Sequence, residues 1–236
     1  MQTKGETDVT SLRNPRQSVS ASREVAGILL AQGAVSINAA HPFVYASGII
    51  SPIYCDLRLL MASLQRRERI IELLADCVQE TCAMGSLDVV AGVATAGIPW
   101  AAWVADRLSK PMAYVRDAPK GHGKGQQVEG GVTPGQVAIV LEDLTSTGGS
   151  ALAAAEALRE VEARVDHCFS IFTYELPQTG EAFRAAGVKL VSLCGISTLL
   201  EVAMASGQID GEGQRAVREW LQKGPTAVQR VEPAQA

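Results

Sequence analysis

The 236-residue chain lacks several features that would place it quickly. It has no apolar run near 18 residues, so no stretch reads as a membrane-spanning helix. Its N-terminus lacks a charged segment followed by an apolar one, which argues against a secretory leader. Together these absences predict a soluble, cytoplasmic protein. No long basic run occurs and the net charge is −4, so there is no electrostatic footprint for nucleic acid. Cys55, Cys77, Cys82, Cys168 and Cys194 form no C-x-x-C pair, and reduced thiols are expected. No internal repeat is found. What remains is a 47% hydrophobic chain, long enough to bury one substantial core.

Residues 1–19 are polar and without apolar period, and read as a mobile tail; 223–236 read as a loose C-terminal tail. Between them, 20–222 read as a single domain. A helix from Ser20 stops near Gln32-Gly33, and short strands follow at Ala34–Ile37, Phe43–Tyr45 and Ile53–Asp56. These make a small β-rich hood over about 34–60. Helical spacing returns at Ile70, Ile71, Leu73, Leu74, Cys77 and Val78, where the adjoining RRER cluster reads as a solvated face. Strands and helices then alternate. Strands are expected at Asp88–Val93, Met112–Val115, Val137–Leu141, Asp166–Thr173 and Lys189–Leu193, with helices between them from Gly97, Gly148 and Gly180. Amphipathic helices close the chain around Ser197–Ala205 and Gln214–Gln222. The alternation predicts an α/β fold with a doubly wound, mainly parallel sheet flanked by helices, and ligands at the carboxyl ends of its strands.

The most informative stretch is VAIVLEDLTSTGGS, residues 137–150. Its apolar start fits a strand buried on both faces, with Glu142 and Asp143 at its carboxyl end. An alanine-rich helix follows, so Thr145–Ser150 are expected to form a strand-to-helix turn with free backbone N–H groups. Such a turn suits phosphate, because a helix start carries about half a positive charge. Glycines let the backbone approach a ligand, and Ser146, Thr147 and Ser150 add hydroxyls. The acids suit sugar hydroxyls, or a Mg²⁺ shared with a pyrophosphate. An acid-tipped strand before a glycine turn also occurs in receiver-like and dinucleotide folds, so it is the full string that narrows the reading.

Two further segments join it. Ala94, Thr95, Ala96 and Gly97 make a small-residue turn before Ile98-Pro99, suited either to tight helix packing or to offering N–H groups to an anion. From Arg116 through Lys120, His122 and Lys124 to Gly131, cationic residues alternate with glycines without helical or strand period. A loop of that length and charge reads as a lid closing over an anionic substrate.

The string Glu-Asp-x-x-Ser-Thr-Gly-Gly-Ser resembles the phosphoribosyl-pyrophosphate motif of type I phosphoribosyltransferases. Phe43-Val-Tyr-Ala-Ser47-Gly48, Ser51-Pro-Ile-Tyr-Cys-Asp-Leu-Arg58 and the lid beginning Tyr114-Val-Arg-Asp-Ala-Pro-Lys-Gly-His-Gly-Lys-Gly narrow the resemblance to the orotate phosphoribosyltransferases, over most of 20–205. That resemblance implies the type I phosphoribosyltransferase fold. It also implies transfer of ribose 5-phosphate from 5-phosphoribosyl 1-pyrophosphate to orotate, with Mg²⁺, in pyrimidine biosynthesis. By position it implies that Arg116, Lys120 and His122 hold pyrophosphate, with Lys120 or His122 assisting its departure. Thr95, Ala96 and Gly97 back the pyrophosphate. Glu142 and Asp143 take the ribose hydroxyls, Ser146, Thr147, Gly148, Gly149 and Ser150 wrap the 5′-phosphate, and Leu144 and Thr145 also bind phosphoribosyl pyrophosphate. Ser146, Ser47 and Tyr54 line the orotate pocket. Mg²⁺ is held mainly by substrate, with Asp143 reaching it through water and no residue a direct ligand. A homodimer is implied, the lid serving the neighbouring site.

Three positions depart from the family pattern. Asp117 stands where some relatives carry a second basic lid residue, Ile50 where lysine is common, and Thr145 where an apolar residue is usual. The first two remove positive charge and bear on how an anionic base is held. Two other readings share the same cradle: transfer to another nucleobase, and a non-catalytic sensor of phosphoribosyl pyrophosphate. A sensor acting on nucleic acid needs a recognition face that this acidic chain does not display.

Overall fold

A computed structural model describes residues 19–44, 50–118 and 127–223. The first helix, α1 (Val19–Ala31), buries Val25, Ala26 and Leu29 along one stripe. The hood follows as two antiparallel ribbons: β1 (Val35–Ile37) pairs with β4 (Ile53–Cys55), and β2 (Phe43–Val44) with β3 (Ile50–Ser51). A 3₁₀ helix, Leu57–Ala62, leads from β4 into α2 (Leu64–Thr81). Neither β3 nor the 3₁₀ helix is predicted by the sequence pattern, because two and six residues are too few to show a repeating apolar period. Tyr45 and Ser47 lie outside the described residues.

The body is a six-stranded sheet in the order β10-β9-β8-β5-β6-β7. Its strands are β5 (Val89–Val93), β6 (Met112–Val115), β7 (Val128–Glu129), β8 (Val137–Thr145), β9 (Arg164–Thr173) and β10 (Lys189–Gly195). All pair in parallel except edge strand β7, which runs antiparallel to β6. β5 is buried along its whole length, as a strand covered on both faces must be. Helices α3 (Gly97–Leu108), α4 (Gly149–Glu160), α5 (Pro177–Ala185), α6 (Ile196–Ala205) and α7 (Gly211–Lys223) complete the chain.

Strand alternation separates two cores. Val90, Ile139, Leu141, Phe169 and Val191 face one side, where α1, α2, α3 and α6 cover them. Val89, Ala91, Ala138, Val140 and Leu190 face the other, covered by α4 and α5. Four alanines of α4, Ala151, Ala154, Ala155 and Ala157, are buried together with Leu158, and their small side chains bring this helix close to the sheet. The RRER cluster of α2 is not merely solvated. Arg69 binds Glu24 of α1 at 2.7 and 2.9 Å and Glu72 at 3.1 Å, Arg107 of α3 reaches Glu68 at 3.2 Å, and Arg67 lies over the Trp103 ring at 4.8 Å. The basic residues thus link three helices.

The hood is tied to the body at two points. The Trp220 indole of α7 donates to the carbonyl of Ile50 at 2.9 Å, and the Tyr174 hydroxyl donates to Cys55 Sγ at 3.1 Å. No helix among the described residues is long and apolar enough to cross a membrane. All five cysteines are free thiols.

Candidate active site

Strand order places the site. β5 and β8 are adjacent and parallel, yet the chain leaves β5 toward β6 on one side and reaches β8 on the other. This is a topological switch point, and the connections leaving the two strands diverge to open a crevice at their carboxyl ends. The Ala94–Gly97 turn leaves β5 and the Ser146–Gly148 turn leaves β8, so both border that crevice.

Each turn depends on a glycine. Gly97 begins α3 so close to β8 that an added Cβ would lie 2.6 Å from the Leu141 carbonyl oxygen and 3.2 Å from Glu142 Cα. Gly148 caps α4 at φ +83, where an added Cβ would come within 2.4 Å of the Phe183 ring. No side chain caps α4, so its leading amides remain available to a ligand. The turn is braced from behind, where Thr179 Oγ1 donates to the Ser146 carbonyl at 2.6 Å and the Tyr174 amide to the Thr145 carbonyl at 3.2 Å. The peptide between Ala94 and Thr95 is cis.

The strand leading into the second turn is longer than its apolar run. β8 continues through the acids, pairing Glu142 with Ser170, Leu144 with Phe172 and Thr145 with Thr173 of β9. Glu142 and Asp143 therefore lie within the strand, and the turn proper begins at Ser146, which corrects the expectation of a turn from Thr145. Successive strand positions alternate faces, and the two acids meet different neighbours. Burial, reinforced by the nearby charges of Asp143 and Asp117, pushes the Glu142 carboxyl up to about 8. Burial also raises Asp143, opposed by the Leu144 amide donating to Oδ1 at 2.8 Å and by the Arg58 charge.

Two more segments reach the acids. At the carboxyl end of β6, which pairs with β7, the Arg116 amide donates to the Gln127 carbonyl at 3.0 Å, and Gln127 Nε2 returns a bond to the Arg116 carbonyl at 2.7 Å. The two stems of the loop are thus held together, and Arg116 lies 3.9 Å from Glu129. Above Asp143, β4 of the hood ends in Tyr54 and Cys55, followed by the pair Asp56 and Arg58. Burial pushes the Cys55 thiol up to about 12, so it is no nucleophile at neutral pH.

Comparison with known proteins fits this frame. Residues 61–184 match the phosphoribosyl transferase domain family. Orotate phosphoribosyltransferase of Listeria monocytogenes is 46% identical over 202 residues, covering 86% of this chain and 96% of that protein. The chain belongs to the orotate phosphoribosyltransferase family. The Coxiella burnetii orotate phosphoribosyltransferase is likewise 46% identical, covering 84% of this chain and 93% of its own length. Among solved structures, the orotate phosphoribosyltransferase of Aeropyrum pernix superposes with a TM-score of 0.67 at 34% identity, over 79% of this chain and 99% of that one.

Within this phosphoribosyltransferase fold, the expected residues fall into four groups. Thr95, Thr147, Gly149 and Ser150 are exposed at the crevice, with Ala96, Glu142, Asp143 and Ser146 half-buried beside them and Gly97 and Gly148 buried in the turns. Leu144 packs against the core and Thr145 is buried, its hydroxyl without a partner among the described residues, so only their backbones can face a ligand. Arg116 follows β6 directly, and Tyr54 is exposed on the hood, its ring 5.6 Å from Phe43. Lys120, His122 and Ser47 lie outside the described residues. Sequence reasoning gave no role to Tyr174, whose backbone and hydroxyl join the end of β8 to the hood. It also missed the electrostatic influence of Arg58 on Asp143, since nothing in a local pattern reports a charge 85 residues away.

Proposed function

We propose that this chain is an orotate phosphoribosyltransferase. It transfers ribose 5-phosphate from 5-phosphoribosyl 1-pyrophosphate to orotate, giving orotidine 5′-phosphate and pyrophosphate on the route to UMP. The observation that carries the reading is the meeting of two glycine-dependent turns and an acid pair at the switch point, in a chain 46% identical to enzymes of that name.

In this reading the backbone N–H groups of 146–150 and the start of α4 receive the 5′-phosphate, with the hydroxyls of Ser146, Thr147 and Ser150 as further donors. Glu142 and Asp143 accept from the ribose hydroxyls. Pyrophosphate lies toward Thr95, Ala96 and Gly97, and the lid residues Arg116, Lys120 and His122 close on it. As pyrophosphate leaves, positive charge develops on the ribose and negative charge on the departing oxygens. Catalysis then comes from neutralising the leaving group, excluding water and aligning orotate, with Lys120 or His122 assisting departure. Ser47, Tyr54 and Ser146 line the base.

The donor set fits Mg²⁺ brought by the substrate. Two half-buried acids whose charged forms are penalised by burial gain from a nearby cation. No three His, Cys, Asp or Glu side chains gather as a metal cluster among the described residues. Pyrophosphate and ribose oxygens would supply most of its ligands, with Asp143 acting through water, and the ion would neutralise charge on the leaving group. The reading includes a cytoplasmic homodimer, each lid serving the neighbouring site, and one domain over 20–222 with its hood at 34–60.

The test is the purified chain with orotate, phosphoribosyl pyrophosphate and Mg²⁺. Loss of orotate absorbance with equimolar pyrophosphate is expected. Turnover of adenine or another base while orotate stays untouched would move the assignment to a different nucleobase.

A further inference from the structure

Residues 34–60 contain a single Lys or Arg: Arg58. Its guanidinium is held as a fork on one side. Nε lies 2.7 Å from Asp56 Oδ1 and Nη2 lies 3.0 Å from Oδ2, while the Arg58 amide donates to the same carboxylate at 3.2 Å. That pairing consumes one edge of the group. Nη1 has no hydrogen-bond partner among the described residues, and the side chain is 66% exposed. A second edge with parallel N–H groups is therefore open to a planar anion.

The position of that edge follows from two contacts. The Tyr174 amide binds the Thr145 carbonyl at the end of β8, and the Tyr174 hydroxyl binds Cys55, one residue before Asp56. This tether sets the Asp56–Arg58 pair over the Asp143 side of the crevice. The charges of Asp143 and Arg58 act on each other there, in keeping with that placement. Orotate carries an ionised carboxylate on C6, next to the N1 atom that must meet the ribose. A fork gripping that carboxylate fixes the ring in its own plane and aims N1. Asp56 keeps the guanidinium plane from turning.

We propose that Arg58 receives the orotate carboxylate and sets specificity for a carboxylated pyrimidine, as the one cationic side chain of the hood. The inference rests on the function proposed above. Its test compares wild type with Arg58→Gln and Arg58→Lys, measuring KM for each substrate and the ratio of kcat/KM for orotate over uracil, which lacks the carboxylate. Losing a charge-assisted fork should raise the orotate KM about tenfold or more in Arg58→Gln. The orotate-to-uracil ratio should fall by a similar factor, while the KM for phosphoribosyl pyrophosphate stays within about twofold, since charge there is met by other residues. Arg58→Lys, which keeps the charge and loses the fork, should fall between. A wild type that consumes orotate while Arg58→Gln keeps its KM and its ratio overturns the role of Arg58 alone. Equal rises in both KM values would make Arg58 structural and also overturn it. A wild type that ignores orotate defeats the function itself.

Discussion

The two turns at the switch point do similar work by different means. The Ala94–Gly97 turn brings backbone against backbone, because α3 starts where a Cβ would strike the Leu141 carbonyl of the neighbouring strand. The Ser146–Gly148 turn uses a left-handed glycine beneath an aromatic ring, so its constraint lies partly in φ and partly in a side chain able to rotate. The first is rigid because nothing in it can yield. The second has some give, and it is the one cross-braced by Thr179 and Tyr174.

That contrast predicts unequal outcomes for matched substitutions. Gly97→Ala should be the more damaging, costing about 3 kcal/mol of stability by chemical denaturation, because α3 must move off β8. Transfer activity should fall with it. Gly148→Ala should cost about 2 kcal/mol, mostly from the positive φ, with Phe183 turning aside. A Phe183→Leu change in that background should recover part of the loss, whereas no single side-chain change should rescue Gly97→Ala. Equal losses that respond equally to rescue would erase the distinction.

Two further effects test β8, which feeds the second turn. The Glu142 carboxyl titrates near 8 when folded and near 4.5 when unfolded. The folded state therefore holds the extra proton between those values, and wild-type stability should decline as pH rises from about 4.5 to about 8. Glu142→Gln should flatten that decline, its advantage growing through this range and levelling above pH 8. An unchanged slope in pH-dependent melting would contradict the burial of this acid. Thr145→Val should have the smallest effect: deleting an unpaired buried hydroxyl at nearly constant shape should stabilise the chain by about 1 kcal/mol, read as a rise in melting temperature.

The body of the fold was legible because continuous apolar runs such as Val89–Val93 and Val137–Leu141 report strands buried on both faces. The end of β8 was not. Glu142 and Asp143 interrupt the apolar signal, although the ladder to β9 carries on to Thr145. β7 was hidden in a glycine-rich stretch, since two residues paired to an edge show no periodicity. The RRER face was read as solvated, whereas its partners Glu24 and Arg107 sit on other helices and no local pattern connects them. At the candidate site, the small-residue turns and the acid pair are legible in residue types. The differing surroundings of Glu142 and Asp143, and the approach of the Asp56–Arg58 pair, follow from topology. Lys120, His122 and Ser47 rest on resemblance alone.

Trp220 gives the molecule a built-in optical gauge. Its indole touches the hood through the Ile50 carbonyl and lies 6.2 Å from the Tyr174 ring, whereas Trp100 and Trp103 sit on α3, with Trp100 fully enclosed. With the α3 pair replaced by phenylalanine, emission from the remaining tryptophan would track whether the hood is seated on the sheet. Hood docking could then be followed in solution independently of turnover.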